Sequence, residues 1–450
     1  MDMKLNKLAL GVAAIAGIST MPAFALTAST YNATNAMEIY VSGATAMDVG
    51  LENASLSMCV GGTAHKYTVS NQSVWLCTAD GTKIGGLAGR TQLAVHKHSV
   101  GGSGNGVAPI NNSIPLPFLD LVKIASGCAA ATAAGTSIAC TEVSSTLTTV
   151  QVAPLGISDV EPQFFGAPTG TYTNLLIEPL ATVIFGLPVT NVAYQALQAA
   201  QNLTVGSTNA ADIPTLPETV VRAMFTQEGQ SWSALTGATL TNDTVYVARR
   251  ADSSGTQKTY EGVIVRTANG FPAGKSCYTN LPAFVAGPAA LDNNAAANAC
   301  NGSNLIVNNS GSGQVAFCLN THNTGSRGAV GTLTTELVNT AGWKHVRING
   351  KIGNYTNLKE GTYPWYGDAA LNTRMLPAID ADHGAYKIAF KALFATQPIL
   401  HPTFGSTATD DGKAGTIGLN SVTGQTTGNP WSRADSSGAV DNCRPALPVF

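Results

Sequence analysis

The chain has 450 residues, enough for two domains with their own cores. It is 44% hydrophobic and only 11% charged, where soluble proteins carry about a quarter, and Gly, Ala, Thr, Asn and Ser fill the gap. A net charge of −2 leaves no basic face for nucleic acid or acidic lipid, and no recognition-helix or zinc-finger spacing occurs, so nucleic-acid binding is not expected.

Residues 1–25 read as a signal peptide. Lys4 and Lys7 precede the apolar run Leu8–Thr20, which is too short to span a bilayer, and Ala23-Phe24-Ala25 places small residues at a signal peptidase site. Cleavage is expected after Ala25. Leu26 follows rather than Cys, so a lipid anchor on cysteine is not indicated. No later stretch reaches the length of a transmembrane helix, and the mature protein is expected to be soluble, periplasmic or secreted.

Four segments then share one pattern. Ala36–Leu51 reads as a strand, a Gly turn and the start of a helix. Arg90–Ile110, Thr148–Pro162 and Asp243–Ile264 read the same way. A β-rich run ending in Gly, Ser and Thr before a helix is the signature of an α/β fold with ligand loops at the carboxyl ends of its strands. Pro179–Ala200 reads as an apolar strand followed by a helix. Thr215–Gln227 reads as a helix, with Thr215 and Glu218 in capping-box spacing and Val220, Val221, Met224 and Phe225 at helical intervals. Gly61–Gly89, Ser126–Thr146 and Gly287–Ser326 read as insertions, and the Gly- and Thr-rich tail from Gly405 as loop.

The eight cysteines are even in number and fit an oxidising compartment, so disulfides are expected. Cys59–Cys77 and Cys128–Cys140 would close short loops, Cys277–Cys300 is a third candidate, and Cys318 is left for Cys443. No CxxC or CxxCH occurs, which argues against zinc ribbons, thioredoxin chemistry and covalent haem; no cofactor is expected.

A helix start offers unpaired N–H groups, and Ser and Thr hydroxyls add donors. With Arg250, whose planar fork suits an oxyanion, these junctions call for a small tetrahedral or carboxylate anion. The bland alternative is that Ser and Thr simply cap helices. Four such junctions, one of them written Arg-x-Asp-x-Ser-Gly-Thr, favour the anion.

In order and content these loops resemble those of the phosphate-binding proteins of bacterial phosphate ABC importers, which are type II periplasmic binding proteins. The family's Gly-Ala-Thr-Phe-Pro loop is matched at Gly43, Ala44 and Thr45, with Ala46 in place of Phe. Its Gly-Ser-x-Gly loop is matched at Gly102, Ser103 and Gly104. Its Gly-Ala-Ser-Asp loop is matched at Gly156, Ser158 and Asp159. Its Arg-x-Asp-x-Ser-Gly-Thr loop is matched fully at Arg250, Asp252, Ser254, Gly255 and Thr256. Asn357–Tyr366 is similar to the Gly-x-Tyr-Pro-Leu signature, and Pro179–Val189 to the hinge strand.

The resemblance implies a two-lobed α/β fold with the ligand in the cleft. Lobe I would take 36–185 and 368–450, and lobe II 186–367. It implies anion contacts from Thr45, the Ala46 amide, Ser103, Arg250, Ser254, Gly255 and Thr256. Asp159 would accept a proton from the ligand, and Asp252 would hold Arg250. Gly43, Ala44, Gly102 and Ser158 would support these loops. The implied function is extracytoplasmic binding of phosphate or a related oxyanion, without catalysis, feeding an ABC permease or scavenging phosphate. The rival from another class is a secreted structural or adhesive surface protein on the same fold.

Other motifs have plainer readings. His96 and His98 share a strand face and could pair on a metal, though a packed face is the simpler account. Gly101–Gly106 is neither a Walker A loop nor GxGxxG. No G-x-S-x-G elbow supports Ser103 as a hydrolase nucleophile. Trp365 and Tyr366 could stack on a sugar but read more simply as core. The second copy of the arginine motif, Arg433–Gly438, follows no strand and reads as an exposed turn.

Overall fold

The structure, a computed structural model, describes residues 26–129, 137–140, 146–165, 172–265, 299–338 and 341–394, with short strands at Thr416–Ile417, Trp431–Ser432 and Leu447–Pro448. The signal-peptide segment, Cys277, Cys443 and the Arg433–Gly438 copy lie outside the described residues, as does the loop-like tail apart from those strands. No helix among the described residues is long and apolar enough to cross a membrane.

The first half of the chain lays down β1 (Ala36–Gly43), β2 (His65–Val69), β3 (Gln72–Thr78), β4 (Gln92–His98), β5 (Leu116–Leu119), β6 (Ser137–Ala139), β7 (Thr148–Gln151) and β8 (Leu155–Ser158). A long strand follows, β9 (Leu175–Thr190). The second half supplies β10 (Thr215–Leu216), β11 (Asn242–Arg250), β12 (Ile306–Asn309), β13 (Arg327–Gly331), β14 (Leu333–Thr334), β15 (Trp343–Ile348) and β16 (Tyr366–Arg374).

One continuous sheet with two wings results. In one wing, the order is β6-β2-β3-β4-β1-β8-β16-β9. In the other it is β12-β11-β13-β9, with β14 and β15 also on β9. β1 is parallel to β4 and β8, and β11 is parallel to β12 and β13. The carboxyl ends of each parallel set therefore point one way, where open α/β sheets hold their ligands. β9 belongs to both wings. Its first part pairs antiparallel with β16, from Leu175 opposite Arg374 to Ile184 opposite Tyr366, and its last part with β13, β14 and β15. The protein is thus a mixed α/β chain of two lobes, crossed by β9 and by the return into β16.

Burial explains the elements. β4 is buried along its whole length and β9 from Leu180 onward, as expected for strands covered on both faces. Leu51 and Ala54 of helix Asp48–Ser57 are fully buried, and the Ser55 hydroxyl meets Tyr386 of helix Ala381–Phe394 at 2.9 Å. In the second lobe Val221, Met224 and Phe225 bury one face of helix Glu218–Thr226. Its N-cap is Pro217 with no side-chain cap, so the expected Thr215 box is not formed; Thr215 is in β10, and Asn349 takes the Glu218 N–H at 3.0 Å. Trp365 is wholly buried between Phe185 (centroids 5.8 Å apart) and Tyr260 (5.1 Å), a core role rather than a sugar platform. Burying such a ring contributes about 3 kcal/mol or more.

The segment Gly61–Gly89 is more than a loop. It carries the β2–β3 hairpin, which extends the first wing through β4. Cys59–Cys77 and Cys128–Cys140 are disulfide-bonded as expected. The third expectation fails: Cys300 is bonded to Cys318, which rules out both Cys277–Cys300 and Cys318–Cys443. Helix Ser312–Thr324 lies under the segment that enters β12 and brings the two Cα atoms to 5.3 Å.

Candidate functional site

The loops that leave β1, β4 and β8 meet those that leave β11 and β12 between the lobes. β1 ends at Gly43, whose φ is +109° and whose missing Cβ would fall 2.0 Å from the Ile157 carbonyl oxygen. Only glycine fits there. The chain then turns through the 3-10 segment Thr45–Met47, burying Ala46. After β4, the 3-10 segment Gly102–Gly106 buries Ser103 completely. The Ser103 hydroxyl accepts the Asp159 N–H at 3.0 Å, so two of the loops fix each other. Ser158 receives a hydrogen bond from the Asn372 amide at 3.0 Å.

From the other lobe, β11 ends at Arg250, and Ser254 caps helix Gly255–Tyr260, its hydroxyl accepting from Gln257 N at 3.4 Å. Arg250 is 1% exposed. It donates to the Ser312 hydroxyl at 3.2 Å, the Ser310 carbonyl at 2.8 Å and the Asn309 carbonyl at 3.3 Å. Burial lowers its pKa to about 10, against the charges of Asp159 and Asp48. No carboxylate among the described residues lies within ion-pair distance of it. Asp252 does not hold Arg250; it pairs with Arg249 and is 78% exposed. Side chains alternate along a strand, so 249 and 250 face opposite ways, and Asp252 lies on the side of the former.

The lobes touch directly at this place. Thr256 donates to Asp159 Oδ2 at 3.0 Å, Gly104 N to the Ser253 carbonyl at 2.8 Å, and the Thr45 and Ser312 hydroxyls are 3.2 Å apart. A Cβ on Gly255 would lie 2.4 Å from Ser103 Oγ and 2.7 Å from Asp159 Cβ. Asp159 is 1% exposed, and its second oxygen, Oδ1, is buried with no hydrogen-bond partner. Burial raises its pKa to about 6, although Arg250, Thr256 and Lys97 pull the other way.

Thr45, Ala46, Ser103, Asp159, Arg250, Ser254, Gly255 and Thr256 are thus brought together, and Asp252 stands aside. Three participants were not anticipated. Lys97 is buried on β4 and donates to the Gly43 carbonyl at 2.8 Å and the Ser99 hydroxyl at 2.8 Å, with Asp48 at 3.2 Å; burial lowers its pKa. Ser312 starts a helix after β12. Glu336 lines the adjoining space with Thr45, Asp48 and Ser312. Burial, helped by the charges of Asp159 and Asp48, raises its carboxyl to about 8, against the hydrogen bond from Thr334. His96 and His98 point the other way and are occupied: each meets a backbone carbonyl through Nδ1, Leu119 at 2.8 Å and Pro117 at 2.7 Å. A metal pair is not what the geometry makes of them. Cys300, Cys318 and His322 lie close together, but the disulfide removes both sulfurs as thiolate ligands.

Each lobe has the strand order second, first, third, then an antiparallel strand, with both sets of loops facing one cleft. That is the two-lobed type II periplasmic-binding-protein fold. The sequence matches no family model and no curated protein. Among solved structures the chain is similar to a protein described as a phosphate ABC transporter substrate-binding protein, with bound phosphate, from Clostridium perfringens. That pair is 12% identical over 81% of this chain and 95% of the other, with a TM-score of 0.44. It is also similar to an ABC-type phosphate transport receptor from Vibrio cholerae (14% identity, 79% and 93% covered, TM-score 0.39) and to PstS from Borrelia burgdorferi (10%, 81% and 94%, 0.33).

Proposed function

We propose that this chain is an extracytoplasmic solute-binding protein that encloses a protonated tetrahedral oxyanion, phosphate first among them, and passes it to an ABC permease or retains it. The role is binding without bond chemistry. One observation carries the reading: a buried guanidinium without a carboxylate partner, Arg250, shares the cleft with a buried carboxylate oxygen without a donor, Asp159 Oδ1. Each alone is costly in a dry site. A hydrogen-bearing anion answers both, accepting from Arg250 and donating to Asp159. The hydroxyls of Thr45, Ser103, Ser254 and Thr256 would complete the shell. A secreted scaffold would have no use for this pair, which is why the binding reading is preferred.

Thermal melting of the mature protein tests it. A ligand bound only by the folded state at about 100 times its Kd adds about 2.7 kcal/mol, so phosphate should raise the Tm with concentration. Neither a Tm shift nor calorimetric heat with phosphate, arsenate or sulfate would reject the reading.

A further inference from the structure

Beside the anion site lies a space that a bare oxyanion does not need. A cavity of about 300 Å³ shares Thr45 and Ser312 with the site and reaches Asp48, Asn71, Glu336 and Trp343. Asp48 comes from the first lobe and Glu336 from the second. Asp48 is already served by Lys97 at 3.2 Å and by the Ser99 hydroxyl at 2.8 Å. Glu336 has no cation in reach among the described residues. Its Oε1 accepts from Thr334 at 2.6 Å, and its Oε2 is buried without a partner. Trp343 is 2% exposed, and its indole N–H is also unpaired.

For phosphate alone these carboxyls contribute nothing: the Asp48 charge repels an anion, and Glu336, raised to about 8 by burial, is left protonated with an unpartnered oxygen. A positive group on the same ligand uses both carboxyls. It would let Glu336 give up its proton and ionise beside a counter-charge, and would link the two lobes through Asp48 and Glu336. An indole is also the preferred aromatic neighbour of an ammonium. We propose that the ligand is zwitterionic: a phosphonate or phosphate monoester on a short chain ending in an ammonium, its oxyanion at Arg250 and its ammonium between Glu336 and Asp48. The inference rests on the oxyanion reading and narrows it to a substrate class.

Calorimetric titration of the full mature chain with inorganic phosphate, ethylphosphonate and aminoethylphosphonate tests the proposal. The last two differ only in the ammonium. Aminoethylphosphonate should bind at least about tenfold tighter than ethylphosphonate, as one desolvated charge contact provides. Glu336→Gln should bring that ratio close to one. A ratio of one or less in the unmutated protein overturns the zwitterion, whatever the variant does. If phosphate still binds and the binding is lost in Arg250→Ala, the oxyanion reading survives that failure. If none of the three ligands binds, both readings fall.

Discussion

Thr256 donates its hydroxyl to Asp159 across the cleft at 3.0 Å, joining residues 97 positions apart and on different lobes. The bond satisfies one carboxylate oxygen and leaves the other as a buried acceptor. That division makes Asp159 the candidate discriminator between anions. Phosphate near neutral pH still carries a proton to donate; sulfate carries none. The unmutated protein should therefore prefer phosphate, and Asp159→Asn should narrow the preference by offering sulfate a donor. Calorimetry with both anions checks this, and equal affinities in the unmutated protein would remove Asp159 from the role.

The same carboxyl makes stability depend on pH. Its folded pKa of about 6 lies above the ordinary value of 3.8, so between these limits the folded state holds the proton more tightly than the unfolded one. The unliganded protein should lose stability as pH rises from about 4 to 6, by about 3 kcal/mol from this group. Asp159→Asn should flatten that part of the curve. Denaturant melts from pH 4 to 8 read the difference, and an unchanged profile in the variant contradicts the assignment.

Arg250 donates alike to any oxyanion, so Arg250→Ala should weaken phosphate and sulfate together by about 100-fold or more, as loss of charge-assisted hydrogen bonds implies. Asp252→Ala provides the contrast. Its partner is Arg249 and its side chain is exposed, so stability should change by less than about 1 kcal/mol and affinity hardly at all. A large affinity loss in Asp252→Ala would restore the link to Arg250 that the geometry denies.

Gly255→Ala should hold the lobes apart. The added methyl would meet Ser103 and Asp159 on the facing lobe. Overpacking of this kind costs about 1–3 kcal/mol, which predicts affinity lower by about fivefold to 100-fold in a folded protein. Small-angle scattering should show a wider particle when ligand is added to the variant than when it is added to the parent. Matching profiles would show that the cleft yields locally instead.

Peptide mapping without reduction should recover Cys59 with Cys77, Cys128 with Cys140, and Cys300 with Cys318. Recovery of Cys277 linked to Cys300 would contradict the third pair. Replacing both Cys300 and Cys318 by Ser should cost about 3 kcal/mol on a chain-entropy account.

The parts of this architecture that could be read along the chain were those written locally. Gly43, Ser103 and Ser254 each follow an alternating or apolar run, and each marks a strand giving way to a turn. The rest depended on tertiary placement. Ser312 belongs to another such junction, Ser-Gly-Ser-Gly after β12, and the small polar composition of Gly287–Ser326 masks it as an insertion. Lys97 lies between two histidines, and strand alternation sends it to the opposite face, toward the cleft. The Cys318 partner is not legible in loop lengths, because a helix returns over Cys300 and brings the two together. Glu336 has no local signal at all: what singles it out is what two lobes bring around it.

The three disulfides among the described residues have a mechanical consequence. Each joins residues of a single lobe, and none of the three spans the cleft. Among the described residues, what crosses covalently is backbone, in β9 and in the return into β16, and the loops meet through hydrogen bonds. These staples therefore harden each half-shell, and the described clasp between them is made of hydrogen bonds. Reduction of these three bonds would soften each shell while leaving the hydrogen bonds between the loops, Thr256 to Asp159 among them, as they are.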